Sequence, residues 1–349
     1  MVPLSHNVKS VKYVRSPSDV FKLEPLPAGI KEQTIGFRTQ LARILTNDDY
    51  RRIVILGPCS IHDTEAGLEY ANLVKEWQKK LPHLLLVMRV YFEKPRTTTG
   101  WKGFINDPNL DGSFDINLGL LKARDFLIKI AQIGVPTATE FLDPFTPNYF
   151  RHLFSWGAIG ARTLESQIHR ELASGLPMPI GFKNSTGGNS KLLVNAIKSA
   201  RSPHSYLGID SEARLSIMES EGNPYAHTVL RGCTNGPNYN KNSLMSTTVL
   251  LQRNNVSDSI IVDCSHDNCD GDYKKQYGIS RYVFAEIRQG HYNVKGVMLE
   301  SFLEEGRQSI SDSLTYGKSI TDPCLGKATT ASLLIDLNGQ ASSLELYYA

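Results

Sequence analysis

Eight apolar runs in this chain each end on a residue able to do chemistry: Cys59, Arg89, Glu140, Arg162, Lys183, Arg231, His266 and Glu300. Two positions before each stands a small or apolar residue: Gly57, Val87, Ala138, Gly160, Gly181, Val229, Cys264 and Met298. Side chains on a strand repeat with a period of two, so both members of each pair are expected to face the same way. Together the pairs describe an apolar barrel interior whose carboxyl-terminal rim carries cations, metal-binding groups and a carboxylate. A (β/α)8 barrel keeps its active site at that rim.

The spacing predicts strand 53–56 with helix 64–80, strand 84–90 with helix 117–133, and strand 137–142 with helix 147–155. Strand 158–162 pairs with helix 166–174, and strand 179–183 with helix 190–200. Later units are strand 226–231 with helix 241–252, strand 259–264 with helix 279–288, and strand 294–300 with a last helix near 328–337. Such alternation argues parallel βαβ units. The count of eight points to an α/β fold, a (β/α)8 TIM barrel over residues 51–337, although an open doubly wound sheet would use the same local pattern. Residues 1–50, with Pro17, Pro25, Pro27 and a helix over 31–45, read as an N-terminal extension. Residues 205–210 and 215–220 look like strands without a helix; they read as a β-hairpin, about 205–221, inserted before the sixth barrel strand. Residues 338–349 read as a C-terminal tail, polar at first and ending in Leu344, Leu346, Tyr347 and Tyr348.

At 349 residues and 41% hydrophobic content, the chain can bury one full core. A net charge of +3 argues against a general nucleic-acid surface, and no apolar stretch approaches the length of a membrane span. The N-terminus lacks the basic and apolar regions of a secretory signal. Five cysteines, odd in number and in or near strand ends, suit free thiols in a reducing compartment. The expectation is a cytoplasmic protein with neither nucleic acid nor membrane as partner.

Arg89, Lys94, Arg96, Arg162, Lys183 and Arg231 would converge at one barrel mouth. Clustered like charges repel, and a small anion with phosphate or carboxylate oxygens removes that repulsion. The plainer alternative pairs each with a nearby acid such as Glu93, Asp107, Glu140 or Glu165. A second set is Cys59, His266, Glu300 and Asp322, from the first, seventh and eighth strand ends and the loop beyond. Those strands are neighbours in a closed barrel, so the four could surround one divalent metal ion: Mn, Fe, Co or Zn. A local site of Cys264, His266 and Cys269 is disfavoured, because Cys264 is expected to point into the barrel below His266 and no fourth ligand lies near. No dinucleotide or Walker-type glycine loop occurs.

The residues resemble the class I 3-deoxy-D-arabino-heptulosonate 7-phosphate (DAHP) synthases, specifically the microbial, N-terminally extended type. The motifs are GPCSIHD from Gly57, MRVYFEKPRTT from Met88, GWKGFINDP from Gly100, SWGAIGART from Ser155 and ESQIHRELASGL from Glu165. GFKN from Gly181, LRG at Leu230, DCSH at Asp263, GVMLES at Gly296 and YGKSITD at Tyr316 extend the likeness, which runs from about residue 35 to 335. A sister family making an eight-carbon keto-sugar phosphate has Lys-Ala-Asn-Arg where this chain has Lys94-Pro95-Arg96-Thr97.

The resemblance implies metal-dependent condensation of phosphoenolpyruvate with erythrose 4-phosphate, the first step of the shikimate pathway to aromatic amino acids. It implies that Arg89, Lys94, Arg162, Lys183 and Arg231 hold phosphoenolpyruvate, and that Arg96 and Thr97 hold the sugar phosphate. Cys59, His266, Glu300 and Asp322 would bind the metal, with Lys94 and Glu140 the candidates for handling the water proton. It further implies an aromatic amino acid effector and a homodimer or homotetramer.

The chain departs from the family at Ser185-Thr186-Gly187-Gly188, at Cys233-Thr234, at Asp210-Ser211-Glu212-Ala213 in the hairpin, and at Pro323-Cys324-Leu325-Gly326-Lys327. The N-terminus also lacks the acidic Asp-Leu-Arg-Ile segment typical of feedback-regulated members. None of these replaces a ligand implied above. They motivate one rival reading, a non-catalytic or weakly active regulatory paralogue that binds an aromatic amino acid. A generic metal-dependent aldolase accepting pyruvate is the other.

Overall fold

The computed structural model describes residues 7–96, 98–290 and 292–344. Its first half runs α1 (Pro17–Leu23), α2 (Ile30–Leu45), β1 (Arg52–Gly57), α3 (Thr64–Gln78), β2 (Leu84–Arg89), α4 (Ile116–Ile133) and β3 (Thr137–Phe141). Next come α5 (Pro147–Phe150), β4 (Trp156–Ile159), α6 (Gln167–Gly175), β5 (Ile180–Lys183), α7 (Ser190–Ala200), β6 (His204–Ile209) and β7 (Leu215–Ser220). The chain finishes with β8 (His227–Leu230), α8 (Lys241–Arg253), β9 (Ile260–Asp263), α9 (Lys275–Arg288), β10 (Val294–Glu300), β11 (Glu304–Arg307), β12 (Lys318–Ser319) and α10 (Lys327–Ser342).

Eight parallel strands close in the order β1-β10-β9-β8-β5-β4-β3-β2, so β1 bonds to both β2 and β10. Both faces of these strands are covered, which is why their sequences are apolar runs rather than alternations. Side-chain direction still alternates. Ile53, Ile55, Leu85, Val87, Ala138, Ala158, Val229, Ile261 and Met298 form the inner core. Val54, Leu56, Leu86, Phe182, Val262 and Leu299 belong to the outer core against the helices. Trp156 fills the lower barrel, and a Cβ on Gly181 would stand 2.4 Å from its ring. Gly57 is required for a second reason: its φ is +152° and a Cβ there would lie 2.9 Å from the Arg89 carbonyl oxygen.

The inner core includes Leu41, Ile44 and Leu45 of α2, which therefore plugs one end of the barrel. β6 and β7 pair antiparallel, Leu207 opposite Ile217, between α7 and the sixth barrel strand β8. No helix among the described residues is long and apolar enough to cross a membrane.

Several boundaries differ from the sequence expectations. The helix expected over 147–155 is one turn, α5, and two carbonyls that a longer helix would use, those of Tyr149 and Arg151, accept instead from guanidinium groups. Arg38 donates to Arg151 O and to Phe154 O, and Arg124 Nη1 donates to Tyr149 O. The fourth strand starts two residues early and ends at Ile159, leaving Arg162 on the following loop. α9 begins at Lys275 rather than 279. α10 continues to Ser342, so the expected tail starts as helix; Leu346, Tyr347 and Tyr348 lie outside the described residues.

Candidate active site

The loop after β1 carries Cys59, and α3 begins just beyond it. Asp63 caps that helix by accepting from Glu65 N at 2.9 Å and Ala66 N at 3.1 Å. Ser60 and Thr321 hydroxyls lie 2.8 Å apart, tying this loop to the one bearing Asp322. The parallel pairing of β11 with β12 and the bridge between Gly306 and Cys324 hold that second loop. Glu300 ends β10, where its backbone N–H donates to Gln276 Oε1 at 2.8 Å and its carbonyl accepts from Gln276 Nε2 at 3.2 Å.

Cys59 Sγ, a Glu300 oxygen and an Asp322 oxygen thus lie within 4.8 Å of one another. His266 stands beside this trio, its Nε2 3.9 Å from Glu300 Oε1. Lys94 Nζ already sits against it, 2.7 Å from Cys59 Sγ and 2.6 Å from Asp322 Oδ2. Burial, then the Glu300 charge, pushes the Cys59 thiol up to about 12. Burial would raise the Asp322 carboxyl too, but Lys94 outweighs it and the group falls below its ordinary range. A thiolate, an imidazole and two carboxylates suit a borderline divalent cation, and the trio attracts positive charge, so the residues fit such an ion.

The cations gather on the same rim. Arg89, 1% exposed, is 3.1 Å from Glu300 Oε1, 2.8 Å from Met298 Sδ, and 4.0 Å above the Tyr91 ring. Lys183 Nζ is 2.7 Å from Glu140 Oε2, and Arg231 Nη1 is 2.5 Å from Asp267 Oδ2. Burial opposes ionisation of Glu140, yet Lys183 prevails and lowers its carboxyl. Glu140, one of the acids anticipated as partners, meets Lys183, while Glu300, Asp322 and Asp267 meet Arg89, Lys94 and Arg231. A cavity of about 510 Å³ opens on this rim, lined among others by Lys94, Arg96, Arg162, Lys183, Arg231 and His266, with Arg89 buried behind the Glu300 that also lines it. Thr97 lies outside the described residues.

One expected direction fails. Cys264 does not point into the barrel below His266; it belongs to the outer core with Val262, and Asp263 takes the inward place after Ile261. β9 ends at Asp263, and His266 then turns back with a φ of +56°. Extrapolating the period of two past the strand end reversed the parity. Asp263 has no exposed surface, and its Oδ2 lies 3.1 Å from His266 Nδ1 and 3.5 Å from Lys183 Nζ. Burial alone would raise its carboxyl, but His266 and Lys183 hold it well below the usual range. The signal for Asp263 was an acid closing the apolar run Ile260–Val262, where only partnered carboxylates are tolerated. Gln276 and Tyr91 were also missed, since neither falls at a strand-end position.

Residues 27–334 match the profile of the DAHP synthetase I family. A Trp-sensitive phospho-2-dehydro-3-deoxyheptonate aldolase of Enterobacter agglomerans is 46% identical, covering 89% of this chain and 90% of its own. A Tyr-sensitive one from Escherichia coli K12 is 42% identical, covering 97% of each. The structure of the phospho-2-dehydro-3-deoxyheptonate aldolase from Francisella tularensis SCHU S4 superposes with a TM-score of 0.94 at 43% identity, covering 96% of this chain and 99% of that one.

Proposed function

We propose, because this chain belongs to the DAHP synthetase I family, that it condenses phosphoenolpyruvate with erythrose 4-phosphate and water, giving DAHP and inorganic phosphate. It is thereby a 3-deoxy-7-phosphoheptulonate synthase, the enzyme that opens aromatic amino acid biosynthesis. One observation carries the substrate assignment: a single cavity places Lys94, Arg162, Lys183 and Arg231 beside Glu300 and Asp322.

Arg89, Lys94, Arg162, Lys183 and Arg231 hold the phosphate and carboxylate of phosphoenolpyruvate. Arg96, with Thr97, takes the sugar phosphate. Cys59, His266, Glu300 and Asp322 hold one divalent ion, which when bound supplies Lewis-acid polarisation of the aldehyde. With the anions fixed, the third carbon of phosphoenolpyruvate reaches the aldehyde carbon; water adds to the second carbon, and phosphate departs with C–O cleavage. Glu140, kept ionised by Lys183, is placed to accept a proton from that water. Lys94, paired with Asp322, is an ammonium with a proton to give. The cup's main effect is positioning two mutually repelling anions, worth up to about 7–11 kcal/mol in favourable cases.

The relatives' names, Trp-sensitive and Tyr-sensitive, support an aromatic amino acid effector. A homodimer or homotetramer in the cytoplasm completes the proposal. The altered loops do not favour the regulatory-paralogue reading: Thr234 N donates to Thr186 O at 2.8 Å, and Thr186 still lines the cavity. Purified protein with Mn should release phosphate only when both substrates are present, and pyruvate should not replace phosphoenolpyruvate. Failure to release phosphate with any divalent ion would sink the assignment.

A further inference from the structure

We infer that Asp263 is a positioning residue that serves both halves of the cavity through one carboxylate. Its Oδ1 is committed to the loop, accepting from Ser265 N at 3.1 Å and Ser265 Oγ at 2.6 Å. Its Oδ2 faces His266 Nδ1 at 3.1 Å and Lys183 Nζ at 3.5 Å. The side chain is wholly buried at the end of β9, so these contacts are not shared with bulk solvent.

The consequence for His266 is a fixed tautomer. Oδ2 makes no well-formed hydrogen bond and acts on the ring as a buried negative charge 3.1 Å from Nδ1; a neutral imidazole has one N–H, and its place is fixed by the serine beside it. Ser265 Oγ, 2.7 Å from the same nitrogen, donates to Asp263 and can only accept from His266 as well. Nε2 is left with its lone pair on the side of Glu300. The same bonds secure the turn that His266 makes at φ +56°, a conformation that a residue other than glycine seldom adopts. For Lys183, Oδ2 is a second negative group at 3.5 Å beside Glu140 at 2.7 Å, so removing Asp263 would loosen the ammonium offered to phosphoenolpyruvate.

This inference rests on the metal-site reading above, and the test separates the two. The full-length protein is freed of metal, and Mn binding is titrated by electron paramagnetic resonance, with pulsed measurements of histidine nitrogen coupling. Phosphoenolpyruvate binding to metal-free protein is measured by dialysis. Asp263→Ala should bind Mn about 10–100-fold more weakly, the usual cost of losing an outer partner of a ligating histidine, with reduced nitrogen coupling and weaker phosphoenolpyruvate binding. If that variant fails to fold, Asp263→Asn keeps the shape without the charge and carries the same expectation. Mn affinity within twofold of the parent with nitrogen coupling intact overturns the role of Asp263 alone, even if the unfolding temperature drops. A parent protein showing no nitrogen coupling overturns both this inference and the metal-site reading.

Discussion

Cys59 shows how much a side chain's chemistry here depends on its neighbours. A buried thiol pushed up to about 12 is a poor ligand by itself and becomes a good one only beside a divalent charge. Lys94 stands against it in the meantime, which implies that the ammonium yields or shifts when an ion enters. Cys59→Ala in chelator-treated buffer should therefore need more metal for activity and show lower activity throughout. Its unfolding midpoint should change little, because the substitution removes only the sulfur atom from a buried side chain. Unchanged activity at limiting metal would remove Cys59 from the ligand set. Asp263 is the contrasting case: a charged residue with no exposed surface, tolerable only because three partners surround it.

Among the elements, β4 and β8 are joined through the barrel floor by a neutral histidine. Trp156 Nε1 donates to His227 Nε2 at 3.2 Å, and His227 Nδ1 is 2.8 Å from the Tyr225 carbonyl, so Nε2 must be the bare acceptor. Burial lowers His227 to about 4, against the Tyr225 bond that favours the charged form. The unfolded chain takes up this proton near an ordinary pKa of about 6.5, the folded chain only near 4. Between these the unfolded state binds more protons, so the contribution is complete above about pH 6.5 and is lost as pH falls towards 4, by about 3 kcal/mol. Urea unfolding across that window should show the loss, and His227→Gln should flatten it; an identical slope in the variant would contradict this origin. The eight strands were legible because each is buried on both faces and punctuated by a polar rim residue, and β10 falls at the predicted 294–300. What sequence periodicity could not supply was the behaviour beyond a strand's last residue. The path bends after Ile159 and after Asp263, so the place of Arg162 and the inward residue on β9 depended on loop geometry. The shortness of α5 was equally hidden, since the Tyr149 and Arg151 carbonyls accept from guanidinium groups more than twenty residues away in sequence.

Over the whole molecule, barrel closure is what turns scattered residues into one site. β1, β9 and β10 are consecutive staves, and this adjacency brings the carriers of Cys59, His266 and Glu300 together. Lys183 at the end of β5 and Arg162 and Arg231 on the loops after β4 and β8 line the same cavity, and Arg89 at the end of β2 is paired with Glu300. Its chain segments are remote, which is why the motifs named the chemistry before any one of them could show the geometry. The trio of Cys59, Glu300 and Asp322 was foreseeable from strand adjacency, whereas the partner of each cation was not, because ion pairing follows side-chain reach. The decisive measurement is anomalous X-ray diffraction from crystals soaked with Mn and phosphoenolpyruvate. One Mn peak bounded by Cys59, His266, Glu300 and Asp322, with the phosphoenolpyruvate anion against Arg89, Lys183 and Arg231, is the predicted result. A peak elsewhere, or an anion bound away from those three cations, would contradict it.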